Sequence, residues 1–148
     1  MSTGPLAIVD ALNSLVEAEV NSLFRFMGEG SPYLNRATAE MRKPLLGMVA
    51  TSERHAEEIA DVIERLNGVP SLRSVQPEEQ YLAYLSIKFL IPKLINDKKL
   101  MIERYENVLS SLPAVDPEIT NLLKSHIADH QTDIAVLEKA AADAVIKK

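Results

Sequence analysis

The sequence predicts an all-α fold, a bundle of four helices that forms one domain over residues 1–148. Apolar residues recur almost throughout at the three- and four-residue spacing of a helix rather than at the alternating spacing of a strand. Only 5 glycines interrupt the chain, which favours long helices. A chain of 148 residues is long enough to bury a core without a disulfide or a structural metal.

The first predicted helix spans residues 5–27 and stops at the Gly-Glu-Gly run that follows it. The second spans residues 32–66, because Pro32 suits a first helical turn, and Asn67 followed by Gly68 suits a left-handed cap. The last two helices are predicted from their proline and capping residues as well.

The third predicted helix spans residues 77–112 and ends before Pro113. The fourth has the clearest start in the chain, since Asp116 can cap it and Pro117 can occupy its first position. The link of residues 67–76, if extended, would span roughly 33 Å, about the length of a helix of 20 residues. That reach predicts a long crossover, which lets the second and third helices run parallel.

Several polar residues occupy positions where the helical period demands an apolar side chain. Glu19 lies between Val16 and Leu23 on the apolar stripe of the first predicted helix, and His55 lies on the stripe of the second. Burial of an unpaired charge is costly, so each of these side chains needs a partner in the core.

The fourth predicted helix carries His126, His130 and Asp133 at i, i+4 and i+7, on the face that holds Leu123 and Leu137. All 3 histidines of the chain therefore fall on core faces. Imidazole and carboxylate ligands suit iron, manganese and zinc, and facing helices of a bundle can build such a site. The chain has no cysteine, which excludes thiolate ligands. For each histidine taken alone, a hydrogen-bonded structural role is the alternative.

The third predicted helix leaves two registers open. Its apolar stripe passes through Asp97 or, after a slight rotation, through Lys98. We predict that Asp97 is the inward residue. By the same periodicity Glu58 on the second helix is expected to face solvent, and Tyr105 is expected to serve packing rather than redox chemistry.

Two segments resemble bacterioferritin- and rubrerythrin-type proteins of the ferritin-like superfamily. Residues 12–20, Leu-Asn-Ser-Leu-Val-Glu-Ala-Glu-Val, resemble the first helix, where Glu19 matches the inward glutamate ligand. Residues 55–70, which end in Asn-Gly-Val-Pro, resemble the second helix and the turn after it, and His55 matches the histidine ligand. The resemblance implies a ferritin-like four-helix bundle with one long crossover and a two-metal carboxylate and histidine site.

The chain also departs from the pattern that this resemblance implies. Ser52 stands where the family's Glu-x-x-His motif has its bridging glutamate, and His130-x-x-Asp133 reverses the two ligand types at the same spacing. The family's usual separation brings Asp97 to the position of the third helix's glutamate ligand. Haem is not implied, because Glu53 stands where haem-binding members have methionine.

The expected function is metal binding, with iron as the expected ion. The candidate ligands are Glu19, His55, Asp97, His126, His130 and Asp133. The resemblance implies oxidation of ferrous iron by dioxygen or peroxide, a ferroxidase- or peroxidase-like activity. The alternative is a metal-free bundle that serves as a structural or interaction module, with a lysine at position 98 or 99 as the buried positive charge.

Composition excludes other classes of function. A net charge of -5 argues against a nucleic-acid partner, since phosphate binding needs clustered basic residues. No apolar run approaches the ~20 residues that cross a bilayer, and the first residues lack a secretory pattern, so a cytoplasmic location is expected. Leucine and tyrosine within residues 81–85 predict a homo-oligomer, at least a dimer, unless they pack beneath the crossover.

Overall fold

Four helices make up most of the described part of the chain. The computed structural model describes residues 5–21, 39–71, 87–112 and 116–146. The helices are α1 (Pro5–Val20), α2 (Ala39–Arg65), α3 (Ile87–Ser111) and α4 (Pro117–Ile146). Within the described residues there is no strand, and no helix is long and apolar enough to span a bilayer. The all-α prediction is confirmed, whereas the predicted end of the first helix and the predicted starts of the second and third lie outside the described residues.

Side-chain pairs show that α2 and α4 run antiparallel. Arg65 at the C-terminal end of α2 lies 2.6 Å from Glu118 at the N-terminal end of α4. Arg54, nearer the middle of α2, lies 2.9 Å from Asp129, nearer the middle of α4. The order of the contacts along one helix therefore reverses along the other.

The helices α3 and α4 are antiparallel as well. Lys98, near the middle of α3, pairs with Asp133, and Tyr105, which comes later in α3, contacts His126, which comes before Asp133 in α4. Because α2 and α3 both oppose α4, they are parallel to each other. The predicted crossover between the second and third helices is confirmed, although much of the link lies outside the described residues.

Two helix ends follow their sequence signals. Asp116 caps α4, since its Oδ1 accepts hydrogen bonds from the backbone N–H groups of Glu118 (3.0 Å) and Ile119 (3.3 Å). At the end of α2, Asn67 has a φ of 64°, and the N–H of Gly68 donates to the carbonyl of Ile63 at 2.9 Å. This is the left-handed cap that the Asn-Gly sequence predicts.

Buried apolar side chains lie on both sides of a layer of buried polar residues. This polar layer consists of Glu19, Ser52, His55, Lys98, His126 and His130. The larger apolar cluster consists of Val9, Leu12, Leu15, Val16, Ala56, Ile59, Val62, Ile63, Met101, Tyr105, Val108, Ile119 and Leu123. Beyond the polar layer lie Leu45, Met48, Val49, Ile91, Leu94, Ile134 and Leu137. Water is therefore excluded from the polar layer, and interactions between charges there are strong.

Gly68 fits so closely against α1 that a larger residue should destabilise the bundle. A Cβ atom at this position would lie 2.8 Å from both Val9 methyl carbons and 3.0 Å from Ile63 Cγ2. We expect Gly68→Ala to lower the free energy of unfolding by about 1–3 kcal/mol, measured by urea denaturation. The control is Gly47→Ala in α2, where the added Cβ meets nothing within 4 Å. This control should gain about 0.5–1 kcal/mol, so equal effects of the two changes would contradict the prediction.

Candidate metal centre

Glu19 lies at the centre of the buried polar layer and contacts four of the side chains around it. Its Oε2 accepts a hydrogen bond from Tyr105 Oη at 2.6 Å and lies 2.8 Å from His55 Nδ1 and 2.9 Å from His130 Nε2. Its Oε1 accepts from Ser52 Oγ at 3.1 Å. Burial alone would raise the pKa of Glu19, but the hydrogen bonds from His130 and His55 outweigh it and hold the pKa well below the usual range. Glu19 is therefore an ionised carboxylate.

His55 is fully buried between two carboxylates. Its Nδ1 faces Glu19, and its Nε2 lies 2.8 Å from Asp129 Oδ2. Both contacts are hydrogen bonds at the same time only when both ring nitrogens carry protons, which is the imidazolium form of the ring. Burial tends to raise the pKa of Asp129, yet hydrogen bonds from His55 and Arg54 lower it below its ordinary value.

His126 stacks on His55 with a distance of 3.8 Å between ring centroids. Its Nδ1 lies 3.1 Å from Tyr105 Oη and its Nε2 lies 3.1 Å from Glu58 Oε1. Burial, and after it the positive charge of His55, lower the pKa of His126 from 6.5 to about 4. His126 is therefore neutral at pH 7, and a neutral ring can donate to only one of its two neighbours. Burial and the charge of Glu19 raise the pKa of Tyr105 well above its ordinary value, so its hydroxyl keeps its proton.

Lys98 reaches the same layer from α3 and is only 1% exposed. Its Nζ lies 3.0 Å from His130 Nδ1 and 3.0 Å from Asp133 Oδ2. An ammonium group only donates, so Nδ1 of His130 accepts and its Nε2–H donates to Glu19. Burial lowers the pKa of His130, although the hydrogen bond to Glu19 acts against that change.

The structure brings most of the predicted site residues together. Glu19, His55, His126 and His130 share the buried layer, and Asp133 lies at its edge through Lys98. The predicted inward register of Asp97 on α3 is wrong, because Lys98 lies in the core while Asp97 is half-buried. The physical reason is the register at which α3 packs on α4, which turns Lys98 toward Asp133. The buried series on α3 is Ile91, Leu94, Lys98, Met101, Tyr105 and Val108, and Asp97 lines a cavity between α1 and α3 instead.

Three further residues belong to the site although sequence reasoning did not assign them to it. Asp129 contacts His55 and follows His126 at i+3, which is a spacing that the helical period could have revealed. Glu58 follows His55 at i+3 but was expected to face solvent, and instead it is half-buried on His126. Tyr105 packs in the core as expected and also donates to Glu19.

The chain has a known structural relative. No protein-family model and no curated protein matches it. Among solved structures, it is similar to the bacterioferritin-related protein from Bacteroides fragilis, a dodecameric thioferritin, with a TM-score of 0.72 over 97% of this chain and 89% of that one. The fold is ferritin-like. The two sequences are 19% identical, so the likeness establishes the fold, which confirms the expected fold class.

Among the described residues of this ferritin-like bundle, one group of side chains could hold a metal ion, namely Glu19, His55 and His130. One potential ligand atom from each lies within 4.8 Å of the others. Two imidazoles and one carboxylate are a donor set that suits ferrous iron and other first-row ions. Asp129 behind His55 supplies the carboxylate that commonly orients a ligating histidine. The residues present therefore fit a metal ion.

Proposed function

We propose that the protein binds one divalent transition-metal ion through Glu19, His55 and His130. The observation that carries the proposal is the convergence of these three side chains, from α1, α2 and α4, in a core that excludes water. Iron is the ion we favour, and manganese and zinc share its ligand preferences. A bound iron ion would supply a redox centre, and any of these ions would supply a Lewis acid.

Ion binding would exchange protons for metal in this cluster. His55 must release the proton on Nδ1 to become a ligand. Its Nε2–H can continue to donate a hydrogen bond to Asp129. The other predicted ligands lie further out. His126 stacks behind His55, and Asp133 pairs with Lys98, so neither belongs to the three-residue group that carries the proposal.

Metal analysis tests the proposal directly. Chelator-treated protein, loaded anaerobically with ferrous iron, manganese or zinc and then desalted, should retain about one ion per chain by elemental analysis. His55→Ala and His130→Ala should each lose the ion, because two remaining ligands hold it poorly. His126→Gln is the matched control and should keep it. Retention of the ion by both alanine variants would contradict the assignment of the site.

We extend the proposal to oxidation of ferrous iron by dioxygen or peroxide. The support is the resemblance of residues 12–20 and 55–70 to proteins with that chemistry, together with a donor set that suits iron. Oxygen consumption after ferrous addition should be faster with the wild-type chain than with the His55→Ala, His130→Ala double variant. Equal rates would contradict the proposed oxidation of iron but would not contradict metal binding.

A second candidate function is a metal-free structural or interaction module. The observation that favours it is the charge balance of the buried layer, where the cations His55 and Lys98 already face the carboxylates Glu19 and Asp133. A ligand that binds only the folded state must raise the melting temperature, so thermal unfolding with and without each metal separates the candidates. No shift with any of the three ions would favour the module.

We also propose that the chain forms a homo-oligomer, at least a dimer, in the cytoplasm. The similar protein from Bacteroides fragilis is dodecameric, which supports self-association on this fold. Light scattering on the purified chain measures the first property, and fractionation of the source cells measures the second.

A further inference from the structure

Lys98 places a second positive charge beside the candidate ligands. Its side chain is 1% exposed, and its Nζ lies 3.0 Å from both His130 Nδ1 and Asp133 Oδ2. We infer that the buried ammonium group of Lys98 competes with the metal ion and thereby lowers the affinity of the site for metal. This inference rests on the proposed function.

The contact with Lys98 determines which nitrogen of His130 carries the proton. Because the ammonium group of Lys98 only donates, His130 Nδ1 must offer its lone pair. A neutral ring then carries its proton on Nε2, the nitrogen that faces Glu19. To bind a metal through Nε2, His130 must move that proton to Nδ1, where it would point at the ammonium group. Ligation by His130 therefore requires the contact between Lys98 and His130 to break.

The positive charge of Lys98 also acts against a bound metal ion. Asp133 and the surrounding helices hold the ammonium in place, so a divalent ion on His130 would meet a fixed like charge at the other side of the same ring. Like charges at short range in a water-excluded core repel strongly. Lys98 thus opposes the ion through both the proton arrangement of His130 and its own charge.

Removal of Lys98 would change the surroundings of His130. His130 Nδ1 and Asp133 Oδ2 are both 3.0 Å from the same nitrogen, so without it a carboxylate lies near the ring. Nδ1–H could then donate toward Asp133, as ligating histidines commonly do toward a second carboxylate. The arrangement around His130 would match the one that Asp129 already provides for His55.

The experiment compares Lys98→Met with Lys99→Met, its exposed neighbour. Zinc affinity is measured by competition with a fluorescent chelator, after circular dichroism has shown that each variant is folded. We expect Lys98→Met to bind zinc about tenfold more tightly than wild type, with Lys99→Met unchanged. The double variant Lys98→Met, Asp133→Asn should lose part of this gain in zinc affinity.

The outcomes separate the inference from the proposed function. If wild type binds zinc and Lys98→Met binds it no more tightly, the inference is overturned and the metal site stands. If no variant binds zinc, iron or manganese, the proposed function fails and the inference fails with it. If Lys98→Met does not fold, two other measurements take its place. These are the zinc affinity of Lys98→Arg and nitrogen NMR of the wild-type protein. The arginine variant should bind zinc no more tightly than wild type, and metal-free wild type should show the Nε2–H form of His130. The Nδ1–H form would overturn the inference.

Discussion

Glu19→Gln is expected to lower the free energy of unfolding of the metal-free protein by about 3–5 kcal/mol, the range for breaking a buried ion pair. The change preserves the volume of the side chain, so no cavity contributes. It removes the negative charge that faces the His55 imidazolium and the Nε2–H of His130. It also places an amide N–H₂ group among hydrogen-bond donors, including Tyr105 and Ser52, where only an acceptor is satisfied.

Urea denaturation at pH 7 in the presence of a chelator measures this effect. The matched control is Asp10→Asn, the same chemical change on an exposed residue of α1. Surface charges contribute little, so the control should change the stability by less than about 1 kcal/mol. A loss from Glu19→Gln as small as that of the control would mean that the carboxylate does not organise the buried layer.

The helices could be predicted from the sequence because their signals are local. Asp116 followed by Pro117 marks the start of α4, and the structure has the cap at that position. Asn67 and Gly68 mark the end of α2 in the same way. The crossover was predicted from the reach of its link, a property that does not depend on which side chains the link contacts.

The site was only partly predictable because its partners belong to different helices. The period places Glu19, His55 and His130 on core faces, and those faces meet in the structure. On α3 the period does not decide between neighbouring registers, since adjacent residues differ by about 100° around the helix axis. Either Asp97 or Lys98 fits an apolar stripe, and the family's usual separation of ligands points to Asp97. The packing of α3 on α4 buries the lysine instead.

Acidification from pH 7 to pH 4 is expected to remove about 3 kcal/mol of stability from the metal-free protein through His126 alone. In the unfolded chain His126 takes up a proton near pH 6.5, whereas in the folded protein its pKa is about 4. Between these values the unfolded state binds more protons, so stability falls as the pH falls. The lowered pKa of His130 acts in the same direction.

Glu19 extends the loss to lower pH. Its pKa in the folded protein lies below the ordinary value of 4.5, so its stabilising contribution is present above pH 4.5 and declines below it as the unfolded chain takes up a proton. The pH profile of stability should therefore fall in two overlapping ranges, one set by the histidines and one by the carboxylate. A domain of this size is stabilised by about 5–15 kcal/mol, so the histidine range alone removes a large part of the total.

Urea denaturation at a series of pH values, with chelator present, separates the contribution of His126 to the pH dependence of stability from that of the other groups. His126→Gln has no titrating ring and can still form hydrogen bonds toward Glu58 and Tyr105. Its stability should fall less steeply than that of wild type between pH 6.5 and 4, whereas Ser125→Gln, an exposed neighbour, should keep the wild-type slope. An unchanged slope in His126→Gln would show that His126 takes up its proton equally readily in both states.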